Sequence, residues 1–303
     1  MYNPKWQGVF PAVTTKFKKD FSIDYQSIEQ HLIAQIEAGV NGIVVVGSLG
    51  ENSTLSLNEK QEVLKKAVSV SNGQVPVLAT LAEANTEDAC KFARLTAENG
   101  GDGMMVLPPM RYKSDRRETL EYFRTVADTT DLPIMIYNNP IDYGVDVTPE
   151  MFAELAEESK IVAIKESSRD VRRITDLINL VGRRYQIFCG VDDIALESLV
   201  LGANGWLAGL VCAFPRETVT IYNLQKEGRF KEALDIYRWF MPLLHLDVSS
   251  KLVQNIKLAE AIVGIGNENV RPPRLPLIGE ERLLVTKIIQ EALESRPKLP
   301  ELN

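Results

Sequence analysis

The feature that most constrains this chain is a repeated pair of elements. Short β-branched or apolar runs occur at 9–15, 42–46, 75–81, 103–107, 133–137, 161–165, 186–189 and 205–210. Stretches with helical spacing lie between and after them, at 24–38, 57–71, 86–99, 115–127, 148–157, 170–181, 192–201 and 215–226. Ser56-Leu57-Asn58-Glu59 has the form of a capping box, and Thr148-Pro149 puts proline in a first helical turn. Eight strand–helix units fit an α/β chain folded as a (β/α)8 TIM barrel. A doubly wound open sheet is the rival, with fewer strands and one reversal of direction. From about Phe230 onward no strand run appears, and 230–246, 248–263 and 280–294 read as helices around the Pro-rich Arg271–Pro276 turn. The expected organisation is a catalytic barrel over 1–228 with a C-terminal helical appendix over 229–303 packed on it.

Charge narrows the function. Lys plus Arg number 34 and Asp plus Glu 41, a net charge of −7, which disfavours a phosphate-backbone partner and argues against nucleic acid. No apolar run approaches the roughly 18 residues of a membrane span, and the first residues lack a signal-peptide core. Cys90, Cys189 and Cys212 read as buried reduced thiols, and only His31 and His245 are available for histidine chemistry. The expectation is a soluble cytoplasmic enzyme acting on small molecules, with no metal site.

In a barrel the chemistry collects at the carboxyl ends of the strands. Lys165 closes the apolar run 161–165, where desolvation frees the neutral amine that a Schiff-base nucleophile requires. The same lysine also suits a pair with Glu166, or a stem that snorkels to the surface. Tyr137, one strand earlier, offers a phenol for proton transfer, or simply an interfacial ring with a satisfied hydroxyl. Gly47-Ser48-Leu49-Gly50-Glu51 forms a turn whose amides suit a carboxylate, or a plain βα connection. Asp192-Asp193, after Gly190, reads as helix capping more readily than as a phosphate or metal site.

Together, Gly47-Ser48-Leu49-Gly50-Glu51, Tyr137-Asn138-Asn139-Pro140 and Ile164-Lys165-Glu166-Ser167-Ser168 resemble the dihydrodipicolinate synthase / N-acetylneuraminate lyase family. The resemblance implies a homotetramer or homodimer and a Schiff base between Lys165 and C2 of a 2-oxo acid, with no cofactor. It implies that Tyr137 carries protons and that Ser48 links it onward. The amides of Ser48 and Leu49 would hold the substrate carboxylate, and Gly190 and Leu207 would line the pocket.

Three departures bear on the subgroup. The synthases' arginine after the Tyr-Asn-x-Pro motif is here Asp142, which would repel a second carboxylate and is either a pocket residue or an exposed loop acid. The usual hydroxyl pair is Ser48-Leu49, and the tyrosine lent by a neighbouring subunit is replaced in Pro108-Pro109-Met110, with Tyr112 out of register. The proton relay is therefore expected to end at Ser48 and water. The segments 237–247, 252–260 and 271–277 resemble the 1-pyrroline-4-hydroxy-2-carboxylate deaminases, although Trp239, Phe240 and Leu243 also suit plain helix packing. That resemblance implies deamination and dehydration of the cyclic imine to 2,5-dioxopentanoate in hydroxyproline catabolism. The alternatives are a pyruvate-dependent aldolase or synthase of the same family, and a catalytically silent binding barrel.

Overall fold

A computed structural model describes residues 4, 6–109 and 112–302. Eight parallel strands form the centre: β1 (Gly8–Pro11), β2 (Ile43–Val45), β3 (Val77–Leu81), β4 (Gly103–Val106), β5 (Ile134–Asn138), β6 (Ile161–Glu166), β7 (Gln186–Cys189) and β8 (Gly205–Ala208). Each pairs with its sequence neighbour from β2 to β8, β8 pairs with β1, and a bridge between Ala12 and Val44 brings the first two strands together. The chain is a (β/α)8 barrel. Apart from Gln186 every strand residue is buried, because side chains pointing inward fill the barrel and those pointing outward meet helices.

The helices are α1 (Tyr25–Glu37), α2 (Leu57–Ser71), α3 (Thr86–Glu98), α4 (Arg116–Thr129), α5 (Pro140–Tyr143), α6 (Pro149–Glu154), α7 (Arg172–Val181), α8 (Ala195–Val200) and α9 (Pro215–Lys226). Beyond the barrel come α10 (Phe230–Asp247), α11 (Leu252–Val263) and α12 (Gly279–Glu294). Ser56 and Glu59 form the capping box expected of them, and Asp115 with Glu118 forms another. None of these helices is long and apolar enough to cross a membrane. The three cysteines are free and buried.

One ring pair shows how the barrel interior fills. Phe10 and Phe188 meet edge to face with centroids 5.0 Å apart. A Cβ on Gly42 would lie 2.1 Å from the Phe10 ring, and one on Gly205 would lie 2.3 Å from Phe188. The two glycines thus provide the space that the two rings occupy, and an aromatic contact of this kind contributes about 1 kcal/mol beyond its buried area.

Three elements differ from the sequence expectation. The first run extends to residue 15, but β1 ends at Pro11; Thr14 and Lys16 turn away to bind the carboxylate of Glu260 on α11. The 192–201 stretch is not one capped helix. Asp192 opens a 3-10 turn, and its carboxylate accepts hydrogen bonds from Trp206 Nε1 (2.9 Å) and Leu210 N (2.8 Å), which tie it to the end of β8. The third difference is α5, a one-turn helix absent from the sequence reading.

The C-terminal helices pack on the barrel through α10, which lies against α9, α11 and α12. Phe240 and Leu243 are fully buried, Trp239 stacks on Phe240 at 5.5 Å, and Phe214 meets both rings edge-on. These residues are packing core. Their helix also delivers Asp247 toward the barrel mouth.

Candidate active site

A cavity of about 790 Å³ opens at the carboxyl ends of the strands. Lys165 and Tyr137 stand in direct register on β6 and β5, so both side chains enter it from adjacent strands. The Lys165 Nζ lies 3.9 Å from the centroid of the Tyr137 ring. Among the described residues Lys165 forms no ion pair. Its neighbour Glu166 is occupied elsewhere, accepting from Asn138 Nδ2 (3.0 Å) and Ser168 N (2.6 Å), so the Lys165–Glu166 pair does not form. Burial holds the Lys165 ammonium below the ordinary lysine range, opposed by the facing Tyr143, Asp247 and Asp192. Gly190 lies directly against this lysine; a Cβ there would meet Lys165 Cε at 2.5 Å.

Tyr137 is 7% exposed, and burial pushes its phenol up to about 12, against hydrogen bonding from Asn139 and Ser167. Asn139 Nδ2 donates both to Tyr137 Oη (3.1 Å) and to the Asp142 carboxylate (2.7 Å). One amide therefore fixes the phenol and the acid together. Asp142 lines the cavity rather than standing apart from it.

The turn after β2 carries Ser48 and Leu49 into the cavity, and Leu207 at the end of β8 forms part of its apolar wall. Backbone strain frames this turn. Val46 (φ 50°) and Glu51 (φ 57°) both occupy the left-handed region, which is unfavourable for a β-branched residue above all. Asn52 Nδ2 donates to Val46 O (2.6 Å), and Thr15 Oγ1 donates to Gly50 O (2.6 Å), holding the conformation. Glu51 is fully buried and takes a hydrogen bond from Lys257 Nζ at 2.5 Å and another from Arg271 N at 3.0 Å. The turn is thus anchored from behind by α11 and the segment after it.

Among the described residues Ser48 forms no hydrogen bond with Tyr137. Its Oγ shares a 2.5 Å hydrogen bond with Tyr143 Oη, and the Tyr143 ring meets Tyr137 edge to face at 5.6 Å. The relay expected to pass from Tyr137 through Ser48 to water thus has a second phenol at Ser48. Met110 lies outside the described residues. Tyr112 is 57% exposed and does not line the cavity.

Four further groups belong to the site although little in the sequence signals them. Tyr143 is carried by α5, whose signals are Asn139 as N-cap, Pro140 at the first position and Gly144 (φ 74°) after the end. Asn139 itself was legible only as part of the motif. Asp247 reaches the cavity from the last turn of α10, beside Gly209, where a Cβ would collide with its Oδ1. Burial, with Asp192 nearby, pushes the Asp247 carboxyl well above the usual range. Glu51 was read only as the end of the turn, and its partner Lys257 lies far along the chain. One cluster of potential metal ligands, His31, Cys212 and Glu260, occurs among the described residues. None lines the cavity, and Lys16 Nζ already occupies the Glu260 carboxylate.

Comparison with known proteins gives a consistent result. The family model described as "Dihydrodipicolinate synthetase family" matches residues 5–292. A 4-hydroxy-tetrahydrodipicolinate synthase of Methanococcus aeolicus is 33% identical over 287 residues, covering 94% of this chain and 98% of that protein. The enzyme of the same name from Methanothrix thermoacetophila is 31% identical over 285 residues, covering 94% and 96%. Among solved structures, the chloride-inhibited dihydrodipicolinate synthase of Acinetobacter baumannii complexed with pyruvate superposes with a TM-score of 0.90 at 28% identity, covering 94% of this chain and 98% of that one. These names agree with the synthase alternative and lend no support to the deaminase subgroup.

Proposed function

This chain belongs to the dihydrodipicolinate synthetase family, and from that premise we propose that Lys165 is its Schiff-base lysine, acting on a 2-oxo acid or the cyclic imine of one. Enzymes of the family are lysine Schiff-base lyases that need no cofactor. The observation that carries the assignment is the buried Lys165 Nζ, free of ion pairs and set over the Tyr137 ring. Tyr137 moves the proton at C3, the Ser48–Leu49 turn receives the C1 carboxylate, and Gly190 and Leu207 shape the pocket around the reacting carbon.

Within that class the geometry favours a substrate with one carboxylate. Asp142, bound by Asn139 on the cavity wall, would oppose a second carboxylate there. A 1-pyrroline-4-hydroxy-2-carboxylate fits this space. Lys165 adds to C2 and the ring nitrogen leaves that carbon, so the ring opens. Loss of the C3 proton then drives hydroxide from C4, and the Asp247 carboxyl, which burial pushes toward its protonated form, donates the proton that makes it water. Tautomerisation gives an imine at C5. Two waters hydrolyse the C5 imine and the Lys165 adduct, so one water is consumed overall and ammonia and 2,5-dioxopentanoate are released. The second reading is a pyruvate-dependent synthase or aldolase. The relatives' names favour it, and so does Arg169 on the cavity wall, a cation for a second carboxylate.

Borohydride trapping followed by intact-mass measurement and peptide mapping tests both levels. An adduct on Lys165 with pyruvate and with the pyrroline, with ammonia released from the latter, supports the deaminase. Consumption of pyruvate with an aldehyde acid and no ammonia supports the synthase. No adduct with either ligand leaves a silent barrel.

A further inference from the structure

The family's relay borrows a tyrosine from a neighbouring subunit, and this site has a phenol of its own in that role. We propose that Tyr143 is the proton-carrying partner of Ser48, so that each barrel holds a complete relay within one chain. The inference rests on Lys165 being the Schiff-base lysine.

Four observations converge on Tyr143. Its hydroxyl shares the 2.5 Å hydrogen bond with Ser48 Oγ, and a serine hydroxyl both donates and accepts, so it can pass a proton in either direction. Both residues line the cavity that holds Lys165. Tyr137 is tied at its own hydroxyl by Asn139, leaving the Ser48 side of the cavity to Tyr143. Finally, α5 fixes the phenol: Tyr143 N donates to Asn139 O at 3.0 Å, and the ring rests edge-on against Tyr137.

The relay has a defined task. When Lys165 Nζ bonds to C2, two protons must leave the nitrogen, and the group departing from C2 must gain two. That group is the oxygen of an open 2-oxo acid, leaving as water, or the ring nitrogen of a cyclic imine, leaving as an amine. Ser48 and Tyr143 accept a proton on addition and return it on departure. The C2–O or C2–N bond breaks as the C2–Nζ double bond forms, and the relay ends in its starting state with no outside acid consumed.

Pyruvate is the probe. The full chain and its Tyr143→Phe, Ser48→Ala, doubly substituted and Tyr112→Phe variants would be mixed with pyruvate and quenched with borohydride over time. Tyr143→Phe should slow adduct formation about 100-fold, as removal of a general acid–base group does. The final extent of adduct should be unchanged, since a relay alters rate and not equilibrium; a variant damaged in fold would lose both. Ser48→Ala should slow the reaction similarly, and the double variant should be no slower than the slower single one. Tyr112→Phe should match the unmodified chain. A Tyr143→Phe rate within twofold of the unmodified chain, or a slow Tyr112→Phe, overturns the in-chain relay while the Lys165 adduct stands. No adduct in the unmodified chain removes the Lys165 assignment and the relay with it.

Discussion

Lys165 Nζ faces the Tyr137 ring at 3.9 Å from across one strand pairing, and the two residues are in register. A ring face attracts the ammonium form, whereas burial disfavours it. Burial wins, and the amine sits below the ordinary lysine range.

The rate of adduct formation at Lys165 should therefore rise with pH through a midpoint below the 10.5 of an ordinary lysine. The sign follows from reactivity: the neutral amine attacks, and a lowered pKa makes it available at lower pH. Stopped-quench trapping with pyruvate across pH 6 to 11 would read the midpoint, and a value at or above 10.5 would contradict the assignment. Lys165→Ala should give no adduct and no turnover, with the fold retained by circular dichroism.

Asp247→Asn separates ring opening from dehydration. If the carboxyl supplies the proton for C4 departure, its loss should lower ammonia release by about 10²- to 10⁴-fold. Trapping should then recover Lys165 carrying the ligand with its hydroxyl still attached, which intact mass distinguishes by one water. Unchanged ammonia release would assign the proton to another group.

Lys257 and Glu51 are both fully buried, and burial pushes Lys257 down to about 8, against the pull of Glu51. Lys257→Met leaves the buried Glu51 carboxylate with Arg274 at 3.8 Å as its remaining countercharge and should cost up to about 3–5 kcal/mol in urea unfolding. Lys257→Met combined with Glu51→Gln should recover much of that loss. If the single variant is no less stable than the double, the pair is not coupled.

His31 is buried and held neutral, its imidazolium pushed down from 6.5 to about 4 by desolvation, with Lys16 adding to the effect. Between those values the unfolded chain binds a proton that the folded chain does not, so stability rises with pH there. This contribution is fully present above pH 6.5 and falls by about 3 kcal/mol as pH drops to 4. Urea titrations of the unmodified chain and His31→Gln at pH 7 and 4.5 should give curves that converge toward acid. Parallel loss in both would place the acid sensitivity elsewhere.

The barrel is readable because its strands are buried on both faces, which makes them short continuous apolar runs, and because each is followed by a longer stretch with helical spacing. Lys165 and Tyr137 were readable for the same reason, as polar residues closing such runs. What stayed hidden depends on contacts without period. The bond between Ser48 and Tyr143 spans 95 positions. It needs α5, whose single turn is too short to show helical spacing. Asp192 looks like a cap in sequence because its real partners, Trp206 and Leu210, come from the next strand unit. Asp247 ends a helix whose other residues advertise only packing.

The bond from Lys257 to Glu51 joins residues 206 positions apart. A chain emerging from the ribosome completes its eight strands before Lys257, Asn269 and Arg271 have been made. Until they and Arg274 arrive, Glu51 lacks the cations that pair with it in the folded chain. The turn that carries Ser48 and Leu49 into the cavity thus gains its support from behind only after all eight strands have been made.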